Sequence, residues 1–368
     1  MKALGAAFLV LSLYVGTVML HFGMNFWLSS FPKGVKQNYT VMFTVSLLWC
    51  ILFLITVLIH FLYNLVCFRK VENYLFFVNR KGLFLLFLIG TLDSLTGLTA
   101  SYSATRVPLI LQSALISTGP IWTILFSFIF YPSSQPKFNG FLLIVFLFIF
   151  GAIALALIPQ ILDNSGKTRY FNPPWILIFL TCALSFPLYN VIQGRFSFEF
   201  RDQVPSSTRK LVMICVEITI QLFLCMLYFP VDFSPFFGQC TSAKESWDNI
   251  IESYRHIFTC KTSAIYMMAY VMGFYIRHIV FAYLNSYSPS VAAITSMLTQ
   301  PINTFIILVF PSWNVYGSKK DWRFVLACFI CLLVAMLMFM YWHITFMDSP
   351  NEPHNDKGES EDNKTEVK

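Results

Sequence analysis

Charge is scarce in this sequence. Of 368 residues only 12% are Asp, Glu, Lys or Arg, about half the share found in soluble domains. A chain with so few charges cannot cover a water-facing surface, which excludes a soluble enzyme, a nucleic-acid reader and a disordered scaffold. Catalytic signatures are missing as well. There is no G-x-S-x-G, no H-E-x-x-H and no nucleotide-binding G-x-x-x-x-G-K-[ST], so no enzyme activity and no ATP-driven pumping are expected of this chain. No Cys/His spacing suggests a metal site, and no cofactor is implied. The net charge of +7 is spread over short connections, as for residues that flank a bilayer and meet its headgroups rather than for a nucleic-acid surface.

What the sequence has in abundance is apolar length. Hydrophobic residues make up 57%, about 210 positions, and a bilayer crossing takes about 20. Ten long runs can be delimited, at 3–27, 39–67, 82–102, 108–130, 139–162, 175–195, 211–229, 262–285, 289–310 and 322–346. Their continuity predicts helices, because a barrel strand needs only about ten alternating residues. The fold class expected is therefore all-α integral membrane. The first run is read as a retained helix with no organellar leader before it, because no small-x-small cleavage site follows. Residues 347–368 are polar, carry two prolines and are expected to be a disordered tail.

Lys and Arg divide almost evenly between the two sides of the ten spans, so the positive-inside rule barely orients the chain. Two sequons, Asn38-Tyr39-Thr40 and Asn363-Lys364-Thr365, fall on opposite sides, and Asn38 sits almost against the bilayer. Cys240 and Cys260 are the two of nine cysteines outside the spans, and both lie in the long connection 230–261. The reading is a disulfide on an oxidising, lumenal side, with two free thiols as the alternative. Both termini are then expected in the cytosol.

An internal repeat carries a mechanism. Thr118-Gly119-Pro120-Ile121-Trp122-Thr123 and Thr299-Gln300-Pro301-Ile302-Asn303-Thr304 share the pattern T-x-P-I-x-T at an offset of 181 residues. At the same offset Pro108 matches Pro289 and Tyr102 matches Tyr283. These segments are the fourth and ninth spans, so the repeating unit is five helices, residues 1–162 and 163–346. An odd number of crossings inverts the second unit relative to the first, which is the topology of alternating-access carriers with a substrate site near the midplane. Proline within a span frees a carbonyl one turn earlier, and the adjacent Thr, Gln and Asn can satisfy that carbonyl or a solute. The plainer alternative is that the prolines bend helices and the threonines bond back to their own backbone.

Ionisable groups at membrane depth are functional candidates because burying charge in hydrocarbon is costly. Asp93 lies in the third span, Glu217 in the seventh one turn before Gln221, and Arg277 and His278 in the eighth. An acid and a base at depth make either a structural ion pair or a reader of solute charge. Asp93 or Glu217 is expected to titrate during transport. His21 and His60 read as satisfied core groups, and Glu245, Asp248, Glu252 and His256 are spaced like the solvated face of a short helix.

Several stretches resemble the drug/metabolite transporter superfamily and, more narrowly, its chloroquine-resistance-transporter family. They are Leu92-Asp93-Ser94, Thr105-Arg106, Gln112, Asn38-Tyr39-Thr40, Gln221-Leu222-Phe223, and Trp247-Asp248-Asn249-Ile250 leading to Cys260. The resemblance implies ten helices in two inverted five-helix repeats, with a lumenal loop holding a membrane-parallel helix. It also implies proton-coupled export of small amino-acid-like, peptide-like or cationic solutes or drugs from a vacuole, lysosome or other endomembrane organelle. Two features depart from it: the loop carries few cysteines, and Glu217 and Arg277 stand where uncharged residues are expected. The partners expected are a small-molecule solute, protons and membrane lipids. The pathway is expected to be lined from the third, fourth, eighth and ninth spans by Asp93, Gln112, Thr118, Pro120, Thr123, Glu217, Gln221, Arg277, Thr299, Gln300, Pro301 and Asn303. The runner-up is a nucleotide-sugar or related antiporter of the Golgi or endoplasmic reticulum, and beyond it a membrane-embedded transferase or a channel subunit.

Overall fold

A computed structural model describes residues 2–69, 72–130, 139–162, 173–287, 289–316 and 322–346. The expected polar tail and its sequon lie outside the described residues. The regular structure within them is helical: α1 (Lys2–Ser30), α2 (Asn38–Phe68), α3 (Arg80–Ser103), α4 (Leu109–Ile116), α5 (Gly119–Phe130), α6 (Gly140–Leu162), α7 (Pro173–Glu199), α8 (Ser206–Leu227), α9 (Ala243–Thr259), α10 (Lys261–Tyr287), α11 (Pro289–Val309) and α12 (Trp322–Phe346). Ten stretches are long and apolar enough to cross a membrane. They match the ten runs read from the sequence, and the chain is an integral multi-pass membrane protein. The fourth span is the exception to helical continuity, because α4 and α5 meet at a break over Ser117 and Thr118.

Neighbours are set by packing. The pairs with extensive contact are α1 with α10, α3 with α7, α2 with α8, α3 with α8 and α6 with α12. The α1–α10 approach is close enough to require glycine. A Cβ on Gly273 would meet the Leu20 amide nitrogen at 2.5 Å, and one on Gly23 would meet the Tyr270 nitrogen at 2.8 Å. Such contact lets backbones meet where lipid tails already satisfy apolar side chains and bulk hydrophobicity gives helices no reason to associate. On the other flank α6 and α12 join through Leu142, Val145 and Ile149 against Ala335, Phe339 and Trp342. Leu58, Ile59, Val66, Phe84 and Leu147 remain exposed, as expected of side chains solvated by lipid.

The long connection folds against one end of the bundle. A short 3-10 turn, Phe229–Phe233, leads to α9, which bears out the expected short helix. Ser242 caps α9 by accepting from the Glu245 amide at 3.2 Å. Beneath it Asp232 is buried and accepts from the Tyr102 hydroxyl at 2.9 Å and the Ser246 hydroxyl at 2.5 Å. Lys36 meets Glu245 at 2.5 Å, and the Tyr254 and Thr44 hydroxyls are 3.0 Å apart.

The disulfide expectation is corrected here. Cys240 and Cys260 are free thiols; Cys240 packs against Asn249 in the middle of α9, 3.7 Å from its amide nitrogen, and Cys260 caps the C-terminal end of that helix, about 16 Å farther along the axis. A disulfide spans less than about 7 Å between Cα atoms. Cys240 is buried and donates to the Asp232 carboxylate at 3.4 Å. Burial, followed by the Asp232 charge, pushes its thiol up to about 12. Asn38 is likewise fully buried, so the folded chain offers no glycan acceptor at that sequon.

Candidate functional site

Asp93 sits near the middle of α3 and is almost wholly buried. Counting along α3 from it, Thr96, Gly97 and Ala100 recur at helical spacing and share its wall of a central cavity. The cavity holds about 950 Å³ of atom-free space, counted out to its mouth. Opposite Asp93, α10 contributes Phe274, Arg277 and His278. The His278 Nε2 lies 3.6 Å from Asp93 Oδ1. An aromatic stack orients that imidazole: Trp49 of α2 covers Phe274 with ring centroids 3.3 Å apart, and Phe274 covers His278 at 3.5 Å. Arg277 lies over the Phe186 ring at 4.2 Å and the Phe281 ring at 5.0 Å.

The two motif copies position walls rather than presenting all of their polar groups. In the first, the Thr118 hydroxyl donates to the Leu115 carbonyl at 2.7 Å and accepts from Trp122 Nε1 at 3.0 Å, which secures the helix break. Pro120 is the second residue of α5, where a missing N–H leaves no partner unsatisfied. In the second copy α11 continues through Pro301. Its threonines bond back, Thr299 to the Ser296 carbonyl at 2.6 Å and Thr304 to the Gln300 carbonyl at 3.0 Å. The plainer alternative thus holds for these hydroxyls. α7 carries a further internal proline, Pro187, which cannot donate to the carbonyl of Ala183. Both residues line the cavity, as does Asn190 one turn on.

Of the residues expected along the pathway, Asp93, Gln112, Pro120, Thr123, Gln221 and Arg277 line the cavity. Gln112 also closes the α3–α4 turn, donating to the Val107 carbonyl at 2.7 Å and the Ala104 carbonyl at 3.1 Å. Thr118, Glu217, Thr299, Gln300, Pro301 and Asn303 do not line it. Glu217 lies behind the wall, fully buried, accepting from the Tyr189 hydroxyl at 2.7 Å and from Gln193 Nε2 at 3.3 Å. Gln193 and Asn190 both accept from the Asn285 amide, at 2.6 and 2.8 Å. Asn303 reaches the cavity through His21, its amide nitrogen 2.8 Å from the His21 Nδ1. His21, read from sequence as a core group, lines the cavity. It is joined by Phe179, Cys182 and Phe186 from α7, so α1, α2, α7 and α8 contribute alongside the four spans expected. A lone histidine and a phenylalanine-rich helix carry no signal of this in the sequence.

Outside the membrane, the Glu245 carboxyl is held down at about 2 by its hydrogen bonds from Lys36 and Thr241, and Lys36 is raised by the same contact.

No family model matches this chain, and no curated protein matches it. A solved crystal structure whose description names no function is similar over 89% of this chain and 97% of its own, at 12% identity and a TM-score of 0.49. That likeness carries no functional inference.

Proposed function

We propose that this chain is a secondary transporter working by alternating access on a small solute held in the central cavity. The observation that carries this reading is the Asp93–His278 pair beside Arg277 at mid-membrane depth, where ionisable groups persist for function rather than stability. The packing supports it further. If spans one to five exchange with spans six to ten, α1 on α10 exchanges with α3 on α7, and α2 on α8 and α6 on α12 each map onto themselves, whereas α3 on α8 maps onto the much slighter contact of α2 with α10. Such an exchange is what an inverted five-helix repeat produces. The residues 1–162 and 163–346 would form the two units, in keeping with the resemblance to the chloroquine-resistance-transporter family.

Proton coupling is assigned to the Asp93–His278 pair, whose two partners each change charge with a proton. Export from an acidic endomembrane compartment with both termini in the cytosol is the setting in which such coupling does work. Purified protein in proteoliposomes should show saturable counterflow of small amino acids and dipeptides, and a protonophore should collapse accumulation driven by a pH gradient. Flux without saturation would mark a channel and overturn the carrier reading.

A further inference from the structure

Among the described residues His21, Asp93, Glu217, Arg277 and His278 occupy the middle of the bundle, and all but Arg277 face a polar partner, His21 meeting the Asn303 amide at 2.8 Å. Asp93 faces His278 at 3.6 Å, and Glu217 is held by the Tyr189 hydroxyl and the Gln193 amide. Arg277 differs. Among the described residues no carboxylate oxygen lies within 4.0 Å of it, and its buried Nε has no hydrogen-bond partner. Its contacts are the faces of Phe186 and Phe281. A guanidinium over phenyl rings gains about 0.5–2 kcal/mol, short of what removing a cation from water costs when no anion is in contact with it. The planar fork of donors matches a carboxylate in bidentate geometry. Along the same cavity the acceptors Asp93 Oδ2, Gln112 Oε1 and Gln221 Oε1 have no hydrogen-bond partner, nor do the Thr123 hydroxyl and the two His278 ring nitrogens, and all five residues line the cavity with Arg277.

We infer that Arg277 binds the carboxylate of the transported solute while Asp93 and Gln221 meet its ammonium end, so that the cargo is an amino-acid-like zwitterion rather than a simple organic cation. This rests on the transport reading for the word cargo, but the binding claim can be tested without transport.

Wild-type protein in detergent is treated with phenylglyoxal, and modification of the Arg277 peptide is followed by mass spectrometry. Leucine, its deaminated analogue isocaproate and glycylglycine are expected to slow Arg277 labelling several-fold, whereas isopentylamine and chloride at equal concentration leave it unchanged. In binding titrations R277Q should weaken leucine and isocaproate by on the order of 30-fold or more, the loss seen when one partner of a buried charge pair is truncated. R277K, which keeps the charge without the fork, should fall between, and both variants are first shown to be monodisperse. Protection by isopentylamine, by chloride, or by none of the carboxylates overturns the inference. Protection by leucine without counterflow in proteoliposomes would leave the carboxylate site standing and remove the carrier reading. Counterflow of isopentylamine matching leucine, in wild type and R277Q alike, would do the reverse.

Discussion

The Asp93 carboxylate of α3 and the His278 imidazole of α10 face each other at 3.6 Å in the cavity wall, and the imidazole is held there by the Trp49–Phe274–His278 stack. At that separation the pair is close enough to attract when both are charged, yet longer than a direct hydrogen bond. The ring stack limits how far His278 can turn away from Asp93.

That relationship predicts a division of labour between the two buried acids. Counterflow measured across pH should be strongly pH-dependent in wild type and in E217Q, because Glu217 lies behind the cavity wall. D93N should give a flat profile. A D93N profile parallel to wild type would remove Asp93 from proton handling.

Glu217 should instead prove a stability residue. Replacing it by alanine strands the Tyr189 hydroxyl proton, while Gln193 keeps its bond to the Tyr189 oxygen at 2.7 Å, and unfolding in detergent should show a loss of about 1–3 kcal/mol. Because glutamine can still accept both donors, E217Q should recover most of it. Equal losses for the two variants would contradict this assignment.

The α1–α10 contact should be intolerant of even one methyl. A Cβ on Gly273 meets backbone, Leu20 nitrogen at 2.5 Å and Gly16 oxygen at 2.8 Å, so G273A forces the helices apart at a cost of about 1–3 kcal/mol. G5A meets nothing within 4 Å and serves as its control. Thermal melting in detergent distinguishes them, and equal midpoints would refute the contact.

Thiol chemistry should separate the two loop cysteines. Cys240 is buried, with its thiol pushed up to about 12, and should resist maleimide until the protein is denatured. Cys260, partly exposed at the end of α9, should react in the folded state. Mobility should be the same with and without reductant, whereas a reductant-sensitive band would restore the bridge.

The Lys36–Glu245 contact should hold α9 in place in an acidic compartment. A depressed carboxyl contributes stability above its ordinary value of about 4.3, and that stability fades only as pH falls toward about 2. Lys36, raised by the same contact, loses its share only in strong alkali. Hydrogen exchange of α9, corrected for intrinsic rates, should be alike at about pH 5 and pH 7, and E245Q should loosen it equally at both. A wild-type α9 that opens on acidification alone would contradict this.

Much of the architecture is legible without a structure because lipid imposes a local rule: every backbone group in the bilayer core must bond within its own helix. Ten continuous apolar runs in the sequence therefore had to be ten spans. The same rule made Asp93 and Arg277 visible, since charges at that depth stand out against their neighbours. The helix between Cys240 and Cys260 was also readable, from the three- and four-residue spacing of Glu245, Asp248, Glu252 and His256, but not that Cys240 folds back onto Asn249 at its middle while Cys260 stays at its far end.

Which residues meet across the bundle was not readable, because it depends on helix rotations and separations that no local pattern encodes. Sequence singled out Glu217 and Asn303 alongside Asp93 as polar groups in apolar spans. Only packing decided that Glu217 is enclosed by Tyr189 and Gln193, and that Asn303 reaches the cavity through His21. The T-x-P-I-x-T copies look equivalent on paper, yet one breaks its helix at Thr118 and the other runs on through Pro301. In the first copy Pro120 stands where a helix begins and needs no N–H; in the second, α11 carries the missing bond of Pro301 within a continuous helix. Composition and hydropathy by themselves determined a ten-span membrane protein with a few charges at depth. Close packing, which holds α1 against α10 and α3 against α7, decided which of those charges share a cavity and left Arg277 there with no carboxylate in contact among the described residues.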